Sequence, residues 1–106
     1  MRQAIVGVHH TDTDGNPARG TTTGVGISIL WQDGPLGRGA DRKEPNGAFV
    51  EGVIAAAIDR LEYYQRSRFA CRENEDAITF LTDALVALDQ RTATREARQV
   101  EGTHVA

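Results

Sequence analysis

"FVEGVIAAAIDRLEYYQRSRFACRENEDAITFLTDALVALDQ", Phe49 to Gln90, is the stretch whose reading decides the fold. In its first half Phe49, Val53, Ala57, Leu61 and Tyr64 recur at spacings of three and four, the period of an amphipathic helix. Val50, Ile54 and Ile58 broaden that stripe and leave Glu51, Asp59 and Glu62 outside it. In the second half Ile78, Leu81, Leu85 and Leu88 follow a strict 3-4-3 seam. Only "RSRFA", Arg66 to Ala70, separates the two patterns. So short a connection makes the helices antiparallel neighbours, an αα-hairpin. The predicted helices run over 48–65, with Asn46 as N-cap after Pro45, and over 71–99.

Upstream the chain reads as strand. Ala4 to Val8 alternates weakly, "TDTDGNPARG" (Thr11 to Gly20) is dense in turn formers, and "TTTGVGISILW" (Thr21 to Trp31) is rich in β-branched residues. Val25, Ile27 and Ile29 fall on one face, and Gly24 and Gly26 suggest a bulge or a close backbone approach. Gln32 to Gly47 carries Pro35, Pro45 and four glycines and reads as a long loop of the kind usually kept for function. The expected fold is α+β: an antiparallel β-hairpin or small sheet over 1–31, a loop over 32–47, the helical hairpin, and a tail over 100–106. A chain of 106 residues makes one domain, small enough that self-association is expected.

Composition narrows the function classes. The apolar fraction of 40% and charged fraction of 25% are those of an ordinary globular protein. No apolar run approaches membrane-spanning length and no signal-peptide core follows the N-terminus, so the cytosol is the expected compartment and no membrane partner is expected. A formal charge of −3 argues against a nucleic-acid binder. The single Cys71 precludes an internal disulfide. Eleven arginines stand against one lysine, Lys43. Arginine's planar fork of donors suits phosphate and carboxylate, although a GC-rich genome also favours its codons.

The helical seam turns polar at both ends. Extended forward it meets Thr92, Arg95 and Gln99; extended backward, Asn74 and Cys71. Arg91 lies one turn from both Leu88 and Arg95, which sets two guanidinium forks side by side. Two readings stay open here. Arg91, Arg95 and Arg98 suit the negative end of a helix dipole, worth roughly 0.3–1 kcal/mol each. They equally suit a diphosphate or cyclic nucleotide, with Tyr64 as a ring on which a base stacks. In an antiparallel hairpin Tyr64 and Asn74 sit at the opposite end from Arg91 and Arg95, so a site using both ends needs a second subunit. His9-His10 face opposite ways on a strand and make no metal site, and His104 lies in the tail. Glu73, Glu75 and Asp76 sit where a helix N-terminus favours anions. No nucleophile is paired with a base, so neither catalysis, metal nor cofactor is expected.

"WQDGP" (Trp31 to Pro35), "FACREN" (Phe69 to Asn74) and "LDQRTATREARQVEGTH" (Leu88 to His104) together resemble a phage family, the Thoeris anti-defence sponges, which share a helical-hairpin domain with anti-CBASS sponges. The resemblance covers roughly residues 27 to 104, and its most specific element is the spacing R-T-x-x-R-x-x-R-x-V-E-G-T. It implies sequestration of cyclic ADP-ribose-type signals made by TIR-domain enzymes, in the cytoplasm of the infected host. Some members also hold cyclic di- or trinucleotides in a second pocket and assemble as dimers that build hexamers. Carried onto this chain, it implies that Arg91 and Arg95 contact phosphates, Asn74 hydrogen-bonds the ligand, Tyr64 stacks on adenine and Arg38 closes over the site. Thr92, Gly102 and Thr103 are implied for the second pocket. An enzyme degrading the same signal is the alternative.

Overall fold

In the computed structural model, which describes residues 3–106, a three-stranded antiparallel sheet precedes two helices that form a hairpin. The expected β region starts at residue 1, and residues 1–2 lie outside those described. Strands β1 (Val6–Thr11), β2 (Pro17–Gly24) and β3 (Ile27–Trp31) pair in that order. Helices α1 (Val50–Gln65) and α2 (Arg72–Ala97) follow. The chain divides into two compact units, Met1–Phe49 with Val100–Ala106, and Val50–Gln99.

In the first unit, only Asp12 to Asn16 of the turn-forming run becomes the β1–β2 connection, its second half being strand β2, and the register shifts between His9 and Thr11. The Asp12 carboxylate organises it by accepting the backbone N–H groups of Asp14 at 2.9 Å and Asn16 at 3.0 Å. The run expected as a single strand to Trp31 contains a second turn instead. Gly24 pairs with Ile27, so Val25-Gly26 is a two-residue connection with Gly26 at φ 73°. Val25 therefore leaves the face shared by Ile27 and Ile29 and is among the most exposed apolar residues. Trp31 closes the sheet by donating its indole N–H to the Thr22 hydroxyl at 2.7 Å.

Asn46 caps no helix. Its side-chain oxygen accepts the Asp33 N–H at 2.8 Å, while its own N–H goes to the Gln32 side chain at 2.8 Å, which folds the long loop back on its start. The C-terminal segment docks on the middle of the same loop. The Gly37 N–H donates to the Gly102 carbonyl at 2.8 Å, and Gly102, at φ 79°, lies so close to the Gly37 carbonyl that a Cβ would collide with it.

In the second unit, Ile78, Leu81, Leu85 and Leu88 form the half-buried stripe of α2, together with Asn74, Ala77 and Ala84. The stripe of α1 is shifted from expectation: Glu51, Val53, Ile54, Ile58, Leu61 and Gln65 are half-buried, whereas Phe49, Ala57 and Tyr64 are exposed. The cause is an excess of apolar surface. Apolar residues cover more than half of α1's circumference, and one partner helix can cover only one stripe. Helical register then puts Val53, Ala57 and Tyr64 on one flank of that stripe. In an antiparallel pair the same flank of α2 carries Ala77, Phe80, Ala84 and Ala87. The opposite flank bears Glu62, Glu75 and Asp89. Phe80 is 71% exposed, and among the described residues no apolar side chain is buried.

Two experiments test these features. Gly102→Ala is expected to cost about 1–3 kcal/mol through strained φ and the lost approach to Gly37. Gly34→Ala, at φ 77° with open space around it, isolates the first contribution, and paired thermal melts measure the difference. The Asn16 N–H, more than any other contact, holds the Asp12 carboxyl below its ordinary 3.8. A lowered acid stabilises the fold above the ordinary range and loses that contribution as pH falls through the folded value. The Asp14 and Asn16 amide resonances are thus expected to titrate with a midpoint below 3.8; a midpoint at or above it refutes the assignment.

Candidate functional site

The turn of the helical hairpin is tied by side chains. The Gln65 amide spans it, donating to the Cys71 carbonyl and accepting the Cys71 N–H, both at 3.0 Å. Ser67 donates its hydroxyl to the Tyr64 carbonyl at 2.6 Å and accepts the Phe69 N–H at 3.1 Å. These bonds fix the turn that runs from Tyr64, at the end of α1, to Asn74 in the first turn of α2. Asn74 is half-buried, with its side-chain N–H directed at the Phe69 carbonyl at 3.5 Å.

The Tyr64 ring is exposed and tilted against Tyr63 at 6.0 Å. The Arg60 guanidinium lies 5.0 Å from its centroid and 4.8 Å from that of Tyr63. Contact with the Tyr64 side chain raises the pKa of Arg60 further, so the cation is permanent. A flat ligand stacking on the free side of Tyr64 would complete a sandwich with a cation as its outer layer. Nothing in the periodicity singled out Arg60; its signal is the spacing of four from Tyr64.

The arginines lie at the other end. With 26 residues α2 outruns the 16-residue α1, and Arg91, Thr92 and Arg95 belong to the overhang. Arg95 is half-buried, in line with Leu81 and Leu88, as its register suggests. Arg91 is exposed on the flank that carries Phe80. Thr92, expected on the seam, is exposed, and its hydroxyl donates to the Leu88 carbonyl at 3.2 Å. Cys71 and Gln99 are exposed too, Cys71 because it precedes the helix. Gln99 takes φ 59° just beyond the helix end, which turns its side chain off the seam. Seventeen residues of helix separate Asn74 from Arg91, about 25 Å of rise. One copy does not bring its two ends to one small molecule.

Arg38, Gly102 and Thr103 all belong to the first unit. Arg38 donates to the Glu101 carbonyl at 2.9 Å, and Arg42 forms a two-pronged ion pair with the Glu101 carboxylate at 2.7 and 3.1 Å. Thr103 donates its hydroxyl to the Val100 carbonyl at 2.6 Å. Among the described residues no three His, Cys, Asp or Glu side chains cluster as metal ligands would. No described helix is long and apolar enough to cross a membrane.

Comparison with known proteins gives the hairpin a family. Residues 25–93 match the model described as "Acb2/Tad1, hairpin domain". That span contains Arg38, Tyr64, Asn74, Arg91 and Thr92, while Arg95, Gly102 and Thr103 lie beyond it, as does all of β1. A curated relative, "Thoeris anti-defense 1" of Bacillus phage SBSphiJ7, is 58% identical over 59 residues. The alignment covers 56% of this chain and 42% of the relative, so the chain spans less than half the length of the protein it matches. On the match across its helical hairpin, the chain belongs to the Acb2/Tad1 hairpin-domain family.

Proposed function

We propose that this chain sequesters a cyclic ADP-ribose-type signalling nucleotide, intact, in a pocket shared by two copies, and thereby blunts a bacterial defence response. One observation carries the reading: Tyr64, Phe80 and Arg91 share a flank of the hairpin, with the ring at one end and the guanidinium at the other. Two copies packed antiparallel on that flank, about an axis beside Phe80 and Ala84, set the Tyr64 end of one against the Arg91 end of the partner subunit. The small Ala77, Ala84 and Ala87 allow close approach around Phe80. The name of the phage relative, Thoeris anti-defense 1, supports the anti-defence role.

In this pocket the paired guanidinium forks take the diphosphate, whose charge relieves their mutual repulsion. Adenine stacks on Tyr64, backed by Arg60, and the Asn74 amide pairs with a polar edge of the ligand. Arg38 is assigned as a further cation for the ligand's phosphates. Thr92, Gly102 and Thr103 are assigned to a second pocket for cyclic di- or trinucleotides, and the dimer is the building block of a hexamer. Holding a ligand requires complementary charge and shape and no proton transfer. The protein acts in the cytoplasm of an infected bacterium, by mass action.

Calorimetry with a cyclic ADP-ribose is the direct test. The expected result is sub-micromolar binding, about 8 kcal/mol or more, with the nucleotide recovered unchanged after denaturation. Absence of binding overturns the proposal, and a cleaved product replaces it with an enzyme. Arg91→Ala with Arg95→Ala is expected to weaken binding at least about 100-fold while the helical signal is unchanged, because two charge-assisted contacts are lost. Phe80→Asp buries a charge in the dimer contact and is expected to give monomers at micromolar concentration by light scattering, with ligand affinity lost in parallel.

A further inference from the structure

The loop after β3 is fastened to the C-terminal segment at several points, all within the first unit. The Gly37 N–H reaches the Gly102 carbonyl at 2.8 Å, Arg38 reaches the Glu101 carbonyl at 2.9 Å, and Arg42 grips both oxygens of the Glu101 carboxylate. Arg42 also donates to the Gly37 carbonyl at 3.3 Å, and the Lys43 N–H closes the loop base on the Leu36 carbonyl at 2.6 Å. Gly102 permits the contact, since any side chain there would meet the Gly37 carbonyl. Thr103 shapes the turn through its bond to the Val100 carbonyl.

We propose that Glu101, Arg42 and Gly102 form a clasp whose role is to position Arg38 for the anionic ligand, a role that rests on the sequestration reading above. A loop containing Pro35, Gly34, Gly37 and Gly39 has large conformational freedom to lose if it must be ordered by the ligand itself. The clasp removes that freedom in advance, so an interaction with Arg38 is not offset by the ordering of its loop. The Glu101–Arg42 pair is suited to the task because it is bidentate and partly shielded, with the Glu101 side chain 22% exposed. Glu101 and Gly102 are therefore positioning residues. They act on the ligand through the loop.

The test combines two readouts. Hydrogen exchange at the Gly37 amide in the free protein reports the clasp alone. It is expected to quicken at least about tenfold in Glu101→Gln and in Arg42→Ala, and to recover in the swap Arg42→Glu with Glu101→Arg. Unchanged exchange in both single variants overturns the clasp. Calorimetry with cyclic ADP-ribose then reports positioning. Glu101→Gln is expected to weaken binding about tenfold, and adding Arg38→Ala is expected to cost far less than Arg38→Ala costs in the intact clasp. Full additivity, or undiminished affinity in Glu101→Gln, overturns the positioning role. Glu101→Gln keeps side-chain size, so a folded variant is at hand. If the unaltered protein binds no cyclic ADP-ribose, the sequestration reading fails, and with it the positioning role, while the exchange data still decide the clasp.

Discussion

Two antiparallel helices share one stripe each, and α1 carries more apolar surface than one stripe can hold. The pairing therefore takes Ile54, Ile58 and Leu61 against the leucines of α2 and leaves Ala57 and Tyr64 on a flank that also bears Phe80. A fold with no buried apolar side chain among its described residues is short of the area that stabilises a small domain. In the proposed dimer, association on that flank supplies the missing burial. It also accounts for an aromatic ring and an arginine lying along the same surface, at opposite ends.

The helical hairpin was readable because a leucine period of three and four, interrupted by five residues, has one geometric solution. The register of α1 was not. Ten apolar residues in its span permit several stripes, and the partner selects among them; that is why Glu51 is half-buried and Tyr64 is not. Local signals also misled where a longer contact competes. Asn46 follows a proline and looks like a cap, yet its amide is taken by Asp33, thirteen residues away in the loop. The Val25-Gly26 turn was hidden in a β-branched run, and only the pairing of Gly24 with Ile27 reveals it.

The candidate site divides along the same line. Arg91, Arg95, Tyr64 and Asn74 could be singled out because helical spacing relates them to the leucines, and Arg95 is indeed half-buried in line with the seam. The relation of Arg42 to Glu101 could not, since 59 residues separate them and no period links a loop to a tail. Thr92 shows the limit of register alone: its position suits the seam, but a β-branched hydroxyl on a helix is drawn to the carbonyl one turn back.

The unequal lengths of the helices give α2 the properties of a ruler. The distance between its polar ends is set by covalent rise, about 1.5 Å per residue, and not by soft contacts. Its graduations are coarse. Inserting or deleting one residue between Asn74 and Arg91 rotates one end by about 100° relative to the other and takes the arginine off the Phe80 flank. Only changes of whole heptads preserve both face and partner register, and each lengthens or shortens the span by about 10 Å. In such a scaffold side chains and loops are therefore free to drift, while the length between the two polar ends is locked.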